Sequence, residues 1–372
     1  MTNSGIRRIP RYMVPLVALI SAAVLAGCSS SPGSPAPSST ATTGSDGAAL
    51  PGTTPYAQQK PITPVTTISI AYSSQSADDL YLFAALDDGV FAREGLNVKT
   101  QLIQSAPSLS AVISGQVSFT LVGGGDTLSA IAGGASDLRW IGTSDTYAAY
   151  LFYTRPSITS ASQLKGATIA STSAAGTSTV CSKLAMSQLG VTGYKIAYLG
   201  SVTSDAAALL SGAAQGICIN PPSSYALDKA GDHDLWDLTT SKVKLAQNGV
   251  ATTEGEIEND PGIVQRFMTA LTEGEKIVHE QAAADVAADE KLLEQVTDGA
   301  VTASEAAETM KYEWTVQSGN LTPVPADLQL SQKYEAMVDP AIAKVDLSTV
   351  IDPSFAEAAA KAVYGSNLPS IG

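Results

Sequence analysis

Between Thr66 and Lys229 short apolar runs alternate with short amphipathic stretches, and nearly every run gives way to a loop of Gly, Ser, Thr or Asn. No other feature constrains the fold as much. Strands that alternate with helices must lie in largely parallel sheets, with the helices covering their faces. Thr66-Thr67-Ile68-Ser69-Ile70-Ala71-Tyr72 alternates polar and apolar residues and reads as the first strand. Ser76 is placed to cap the next helix, on which Leu82, Ala85 and Leu86 recur on one face. Residues 96–103 read as a second strand. Ser105-Ala106-Pro107-Ser108 then opens a helix, with proline suited to the first turn. Residues 117–122 read as a third strand, Gly123-Gly124-Gly125-Asp126 opens another helix, and residues 138–142 read as a fourth strand.

A second series follows. Residues 149–154, 167–170, 195–199 and 216–220 read as strands. Helices are expected over residues 177–189, where Cys181, Leu184, Ala185 and Leu189 form an apolar stripe, and over 204–211 and 223–229. After about Leu245 the pattern is mostly helical. Ile263, Phe267 and Leu271 recur at helical spacing, and residues 285–294, 302–314 and 326–338 look similar. No internal repeat is evident.

The chain has 372 residues, of which 44% are hydrophobic and 15% charged, so it can build a sizeable core and is not globally disordered. Its net charge of −14 argues against a nucleic-acid partner, because phosphate backbones require basic patches. The first residues differ from the rest. Arg7, Arg8 and Arg11 precede a short apolar run that ends Leu25-Ala26-Gly27-Cys28. This is the layout of a secretory signal over residues 1–27, too short for a comfortable membrane span. Its last four residues resemble the bacterial lipobox, which implies cleavage before Cys28 and acylation of its thiol. Residues 28–65 are rich in Ser, Thr, Pro and Gly and read as a flexible tether.

The segments "GVFAREGLNV", "SLSAVISGQVSFTLVGGGDTLSAIAGG", "LKGATIASTSAAGTS" and "VIDPSFAEAAAKAVYG" resemble substrate-binding proteins of ABC importers, in particular the nitrate, sulfonate, taurine and thiamine-pyrimidine binding group. The resemblance spans about Thr66 to Tyr364. It implies an α/β, type II periplasmic-binding-protein fold: two α/β lobes joined by a hinge of two crossovers, with a helical C-terminal extension. Lobe 1 would comprise residues 66–145 and 246–364, with the late helices packed on it, and lobe 2 residues 146–245. The expected protein is a monomeric, membrane-anchored lipoprotein on the extracytoplasmic face of the cell envelope. It would capture a small solute and deliver it to an ABC permease.

Physical reasoning and the resemblance place the ligand alike. In open α/β sheets it sits beyond the carboxyl ends of the strands, where helix N-termini present unpaired N–H groups. The candidate ligand-binding residues therefore lie in the loops before helices. They are Ser73, Ser74 and Ser76 after the first strand, Ser105 and Ser108 after the second, and Gly124, Gly125 and Asp126 after the third. Thr143 follows the fourth strand. Ser173, Gly176, Thr177 and Ser178 form a loop of the second lobe, and Asn220 and Tyr225 follow its last strand. Hydroxyls at these positions also cap helices, Gly124 and Gly125 also suit a tight turn, and Asp126 also suits a cap. Tyr72, Tyr147 and Tyr225 are candidates to stack on a flat ligand or to pack the lobes.

The loops hold no Arg or Lys, whose forked or point charge usually binds oxyanions. Arg155 precedes Pro156 and reads as part of a surface turn. A small polar solute is expected, with heteroaromatic compounds such as a pyrimidine or a flavin-like vitamin precursor among the candidates. A sulfonate- or nitrate-like anion is the alternative. The pyrimidine-synthesising members of the family carry a cysteine cluster that is absent here, because Cys28, Cys181 and Cys218 are the only cysteines. Cys181 and Cys218 fall in the second lobe, as a disulfide or as two buried thiols.

No catalytic, metal or cofactor site is expected. His233 reads as part of a surface turn and His279 as part of a long helix, and no nucleophile elbow, Walker loop, H-E-x-x-H motif or calcium loop is present. Asp87-Asp88 and Asp232 with Asp234 read as solvated faces. A biosynthetic enzyme for a pyrimidine-type precursor on the same fold, and an envelope sensor without a permease, are the rival functions.

Overall fold

The computed structural model describes residues 61–281, 285–297, 299 and 301–369. The signal segment, Cys28 and the tether up to residue 60 lie outside the described residues. Among the described residues no helix is long and apolar enough to cross a membrane.

The chain builds two sheets. The first begins with β1 (Thr66–Tyr72), β2 (Leu96–Leu102), β3 (Phe119–Val122) and β4 (Leu138–Thr143). Between them run α1 (Leu80–Asp87), α2 (Val90–Arg93), α3 (Ser105–Ile113) and α4 (Gly124–Ala132). The chain then crosses to a second sheet made of β5 (Leu151–Thr154), β6 (Thr168–Ser171), β7 (Lys195–Tyr198), β8 (Gly216–Ile219) and β9 (His233–Asp237), with α5 (Thr177–Gln188), α6 (Val202–Ser211) and α7 (Tyr225–Ala230) as connections. It returns to the first sheet as β10 (Gly249–Thr253). The strand orders are β2-β1-β3-β10-β4 and β7-β6-β8-β5-β9.

Neither sheet is purely parallel. β1 is parallel to β2 and β3, and β6 is parallel to β7 and β8. β10 runs antiparallel between β3 and β4, and β5 runs antiparallel between β8 and β9. These are the strands through which the chain returns to the first lobe and enters the second. β9 corrects the expectation of a turn at His233. Gly231 closes α7 in a left-handed conformation, and His233 already pairs with Thr154. As an edge strand β9 pairs on one side only, so its polar sequence is tolerated.

The two crossovers, residues 144–150 and 238–248, pair with each other. The Asp145 N–H donates to the Asn248 carbonyl, the Ala148 N–H to that of Val243, and the Ala149 N–H to Gln247 Oε1 at 2.6 Å. This paired ribbon is the hinge region.

The remaining helices are α8 (Glu254–Asn259), α9 (Pro261–Gln281), α10 (Val286–Thr297), α11 (Ala303–Glu313), α12 (Pro325–Glu335), α13 (Leu347–Val350) and α14 (Ser354–Tyr364). The apolar stripe of α9 covers the first sheet, with the Phe267 ring stacked on Phe119 at 4.1 Å between centroids. α9 also lies against α1 at Gly274, where a Cβ would run into the Tyr81 carbonyl. The C-terminal helices are not confined to the first lobe, contrary to expectation. α12 lies between α4 and α5, Tyr334 and Val338 pack against the core of the second lobe, and Lys183 Nζ donates to the Met337 carbonyl at 2.8 Å. α11 meets α7 through a Lys229–Glu305 ion pair of 2.7 Å.

Cys181 on α5 and Cys218 on β8 form a disulfide, which resolves the alternative left open by the sequence. It ties a helix of the second lobe to the sheet beneath it.

Candidate functional site

A cavity of about 320 Å³ opens between the two lobes. Every element that reaches it does so from the carboxyl end of a strand or from a crossover. Ser73, Ser74 and Gln75 follow β1, and Gln104 and Ser105 lie between β2 and α3. Gly123 and Asp126 follow β3. From the second lobe come Thr172, Ser173, Gly176 and Thr177 after β6, and Gly200 to Thr203 after β7. Tyr150, Gln247 and Asn248 come from the crossovers.

Four helices therefore aim their N-termini at one space. The N-caps of α3, α4 and α5 are Gln104, Gly123 and Gly176, and none of them makes a side-chain cap hydrogen bond. Part of the first-turn N–H set of these helices is left for a ligand. α6 differs, because Ser201 caps it by accepting from the Ser204 N–H.

The charged groups at the cavity are acidic. Asp126 is on the first lobe and accepts a hydrogen bond from Ser173 Oγ of the second lobe at 2.9 Å. Burial raises the Asp126 carboxyl above its usual range, opposed by hydrogen bonds from Ser173 and Ser105. Asp78 forms part of the floor. Its Oδ1 accepts from Asn220 Nδ2 and from Gln247 Nε2, each at 3.1 Å. Burial pushes Asp78 up to about 6 against these bonds and one from Ser76. No Arg, Lys, His or Cys is among the cavity-lining residues.

Of the residues singled out by sequence, Ser73, Ser74, Ser105, Asp126, Ser173, Gly176 and Thr177 line this cavity. Asn220 stands one bond beyond, holding Asp78. The others serve the framework. Ser76 caps the turn before α1 by accepting from the Asp78 N–H at 3.2 Å. Ser108 is buried, donates to the Ser105 carbonyl at 2.8 Å and bonds Thr120. Thr143 is buried and accepts from Trp140 Nε1 at 2.8 Å. Ser178 is tied to Ser171 and Thr172.

Gly124 and Gly125 permit close packing rather than ligand approach. A Cβ on Gly124 would press on Ala246, and one on Gly125 would strike the Ala175 carbonyl of the second lobe. Tyr225 points away from the cavity, its hydroxyl 3.1 Å from Thr309 on α11. Tyr72 packs edge-on against Phe83, and Tyr147 lies under the Lys244 ammonium, so neither lines the cavity. Arg155 is likewise absent from it.

Sequence reasoning missed Gln75, Asp78, Gln104, Tyr150, the loop before α6, Gln247 and Asn248. The loop before α6 carried a readable signal: Gly200-Ser201 follows a strand and precedes a helix, as in the other loops. Gln247 and Asn248 carried none, because their place depends on β10 pairing between β3 and β4.

The family model described as NMT1/THI5 like matches residues 77–284. No curated protein sequence matches the chain. Among solved structures, a Bordetella bronchiseptica RB50 protein superposes with a TM-score of 0.67 at 17% identity, over 79% of this chain and 97% of that one. The periplasmic aliphatic sulphonate binding protein SsuA from Escherichia coli gives 0.60 at 19% identity, over 77% and 92%. The desulfurization enzyme DszB gives 0.56 at 15% identity, over 78% and 98%. At such identities the likeness is one of fold, and one fold here serves a binding protein and an enzyme alike.

Proposed function

The chain belongs to the NMT1/THI5-like family and has the periplasmic-binding fold, and from that premise we propose that it is the extracytoplasmic solute receptor of an ABC importer. The observation that carries this reading is the cavity between the lobes. Its size suits a small molecule. Its lining of hydroxyls, carboxamides, helix N-termini and two carboxylates suits a polar one. The solute contacts both lobes at once, so it favours the closed arrangement over the open one. Only that differential affinity can shift the equilibrium. The closed pair of lobes then docks on the permease. The Leu25-Ala26-Gly27-Cys28 segment supports a lipid anchor on Cys28 that keeps the receptor beside its permease and raises its effective concentration.

The same lining favours a solute with hydrogen-bond donors. Asp126 and Asp78 accept hydrogen bonds when ionised and repel anions. Tyr150 adds an aromatic group, in keeping with a heteroaromatic solute such as an aminopyrimidine. A sulfonate or nitrate would meet two acids and no base. An enzyme working through a thiol, lysine or histidine would need that group in the cavity, whereas Cys181 and Cys218 are joined in the disulfide and no lysine or histidine lines the space.

Thermal-shift screening of the full chain tests the reading, because a ligand bound only by the folded state raises stability by mass action. Aminopyrimidines, flavins and other donor-rich polar solutes should raise Tm, while nitrate and alkanesulfonates should not. An alkanesulfonate as the strongest stabiliser would overturn the solute class, and turnover of a stabilising solute would overturn the receptor.

A further inference from the structure

At and behind the cavity floor the fold buries a group of acids, of which the solute-receptor reading uses only Asp78. Asp78 lies in the turn before α1, Asp145 in the first crossover, and Glu313 at the end of α11. Each offers a carboxylate oxygen, and these three oxygens all lie within 4.8 Å of one another. The residues are 5%, 0% and 1% exposed, so water cannot carry their charge. No described ion pair involves any of them.

Clustering alone would be weak ground. The independent observation is that the oxygens are unsatisfied. Both carboxylate oxygens of Glu313 are buried without a hydrogen-bond partner, and so is Asp145 Oδ1. Asp145 Oδ2 takes one hydrogen bond, from Ser144 Oγ at 2.9 Å. Gln317 bridges to Asp145 across an isolated antiparallel pair, and its amide oxygen and nitrogen are also buried and unpartnered. An unpaired buried carboxylate is among the costliest arrangements a fold can hold.

We propose that Asp78, Asp145 and Glu313 bind a hard divalent cation, with Ca²⁺ as the best fit. An all-oxygen donor set selects hard cations over zinc or copper. Two oxygens at calcium's ligand distance of about 2.3–2.6 Å can stand up to about 5 Å apart, which accommodates the observed spread. Gln317, which pairs with Asp145 through the backbone, carries a buried, unpartnered amide oxygen that is a candidate neutral ligand. The cation joins the first lobe, the hinge and the C-terminal extension at one point. Because Asp78 also contacts Asn220 of the second lobe, the ion sets the floor of the solute cavity. The inference rests on this cluster alone and stands whichever solute the cavity takes.

The test uses the full chain stripped with EDTA and titrated with Ca²⁺, Mn²⁺ or Mg²⁺ in calorimetry and thermal shift, with no solute present. One Ca²⁺ per chain and a rise in Tm are expected. Glu313→Gln should abolish that rise, while its metal-free Tm equals or exceeds that of the metal-free wild type, since it removes a buried carboxyl without hydrogen-bond partners. Crystals of the wild type soaked in Mn²⁺ should show an anomalous peak between the three carboxylates, a readout that needs no variant. A wild type that neither binds nor is stabilised by any of the three ions would overturn the proposal. So would a Glu313→Gln variant that keeps the full shift, or an anomalous peak elsewhere.

Discussion

Ser173 Oγ of the second lobe donates to Asp126 Oδ1 of the first at 2.9 Å, across the mouth of the cavity. A second polar bridge, from Asn220 to Asp78, spans the floor at 3.1 Å. Each pairs a neutral donor of the second lobe with an acid of the first. Solute closure and lobe closure therefore draw on the same two carboxylates.

Asp126→Ala should weaken solute binding about 10- to 100-fold, the worth of a hydrogen bond to a charged group. Its Tm without solute should be unchanged or higher, because burial already disfavours the ionised carboxyl. Calorimetry with the best stabilising solute checks the first point and a thermal melt the second. Affinity within twofold of wild type would remove Asp126 from the site.

Asn220 and Tyr225 follow the same strand, but the structure separates them. Asn220→Ala removes one of the two side-chain donors to Asp78 Oδ1 and should lower solute affinity several-fold. Tyr225→Ala should leave the direct contacts intact, because its hydroxyl serves α11. Titrations of the two variants side by side distinguish them, and an equal loss in both would contradict the assignment.

Glu335 gives the fold a pH dependence. Burial pushes its carboxyl up to about 8, opposed by a hydrogen bond from Ser331 and helped by Asp126. A carboxyl raised on folding binds a proton that the unfolded chain has already released. Its contribution is complete below the unfolded value of 4.5 and is lost as pH rises through about 8. The slope from this group is at most about 1.4 kcal/mol per pH unit. The difference in urea stability between wild type and Glu335→Gln should therefore grow between about pH 5 and pH 9, with the variant gaining on the wild type. A difference that does not change with pH would refute it.

The Cys181–Cys218 bridge spans a sequence separation of 37. Loop-closure entropy for a loop of that size is worth about 4 kcal/mol. The double variant Cys181→Ser, Cys218→Ser should lose a stability of that order in urea melts and keep its solute specificity. Undiminished stability would show that the bridge does not form.

Cys28→Ser should move the protein from the membrane fraction to the soluble fraction, since one thiol carries the proposed anchor. A variant that still partitions with diacylglycerol-labelled protein would count against the lipobox.

The strands and their following loops were legible because alternation and glycine punctuation are local signals. β9 and β10 were not, because His233–Asp237 is mostly polar and Gly249–Thr253 holds a single large apolar residue, so neither carries an alternating pattern. The hydroxyls marked the right region but not the right atoms. Ser105 and Ser108 stand one turn apart on α3, yet only Ser105 faces the cavity, while Ser108 bonds Thr120 of β3. A hydroxyl that caps a helix and one that binds a ligand obey the same local chemistry, so only tertiary placement separates them. Asp78 and Gln247 illustrate the rest: their contact joins residues 169 apart, which no local pattern encodes.

The most direct measurement is a crystal structure of the protein grown with the solute that most raises its Tm. The account predicts one solute molecule between Ser105, Asp126 and Ser173, hydrogen-bonded to both lobes and paired with no basic side chain. A solute seated outside the cleft, or a sulfonate held there by lysine or arginine, would contradict it.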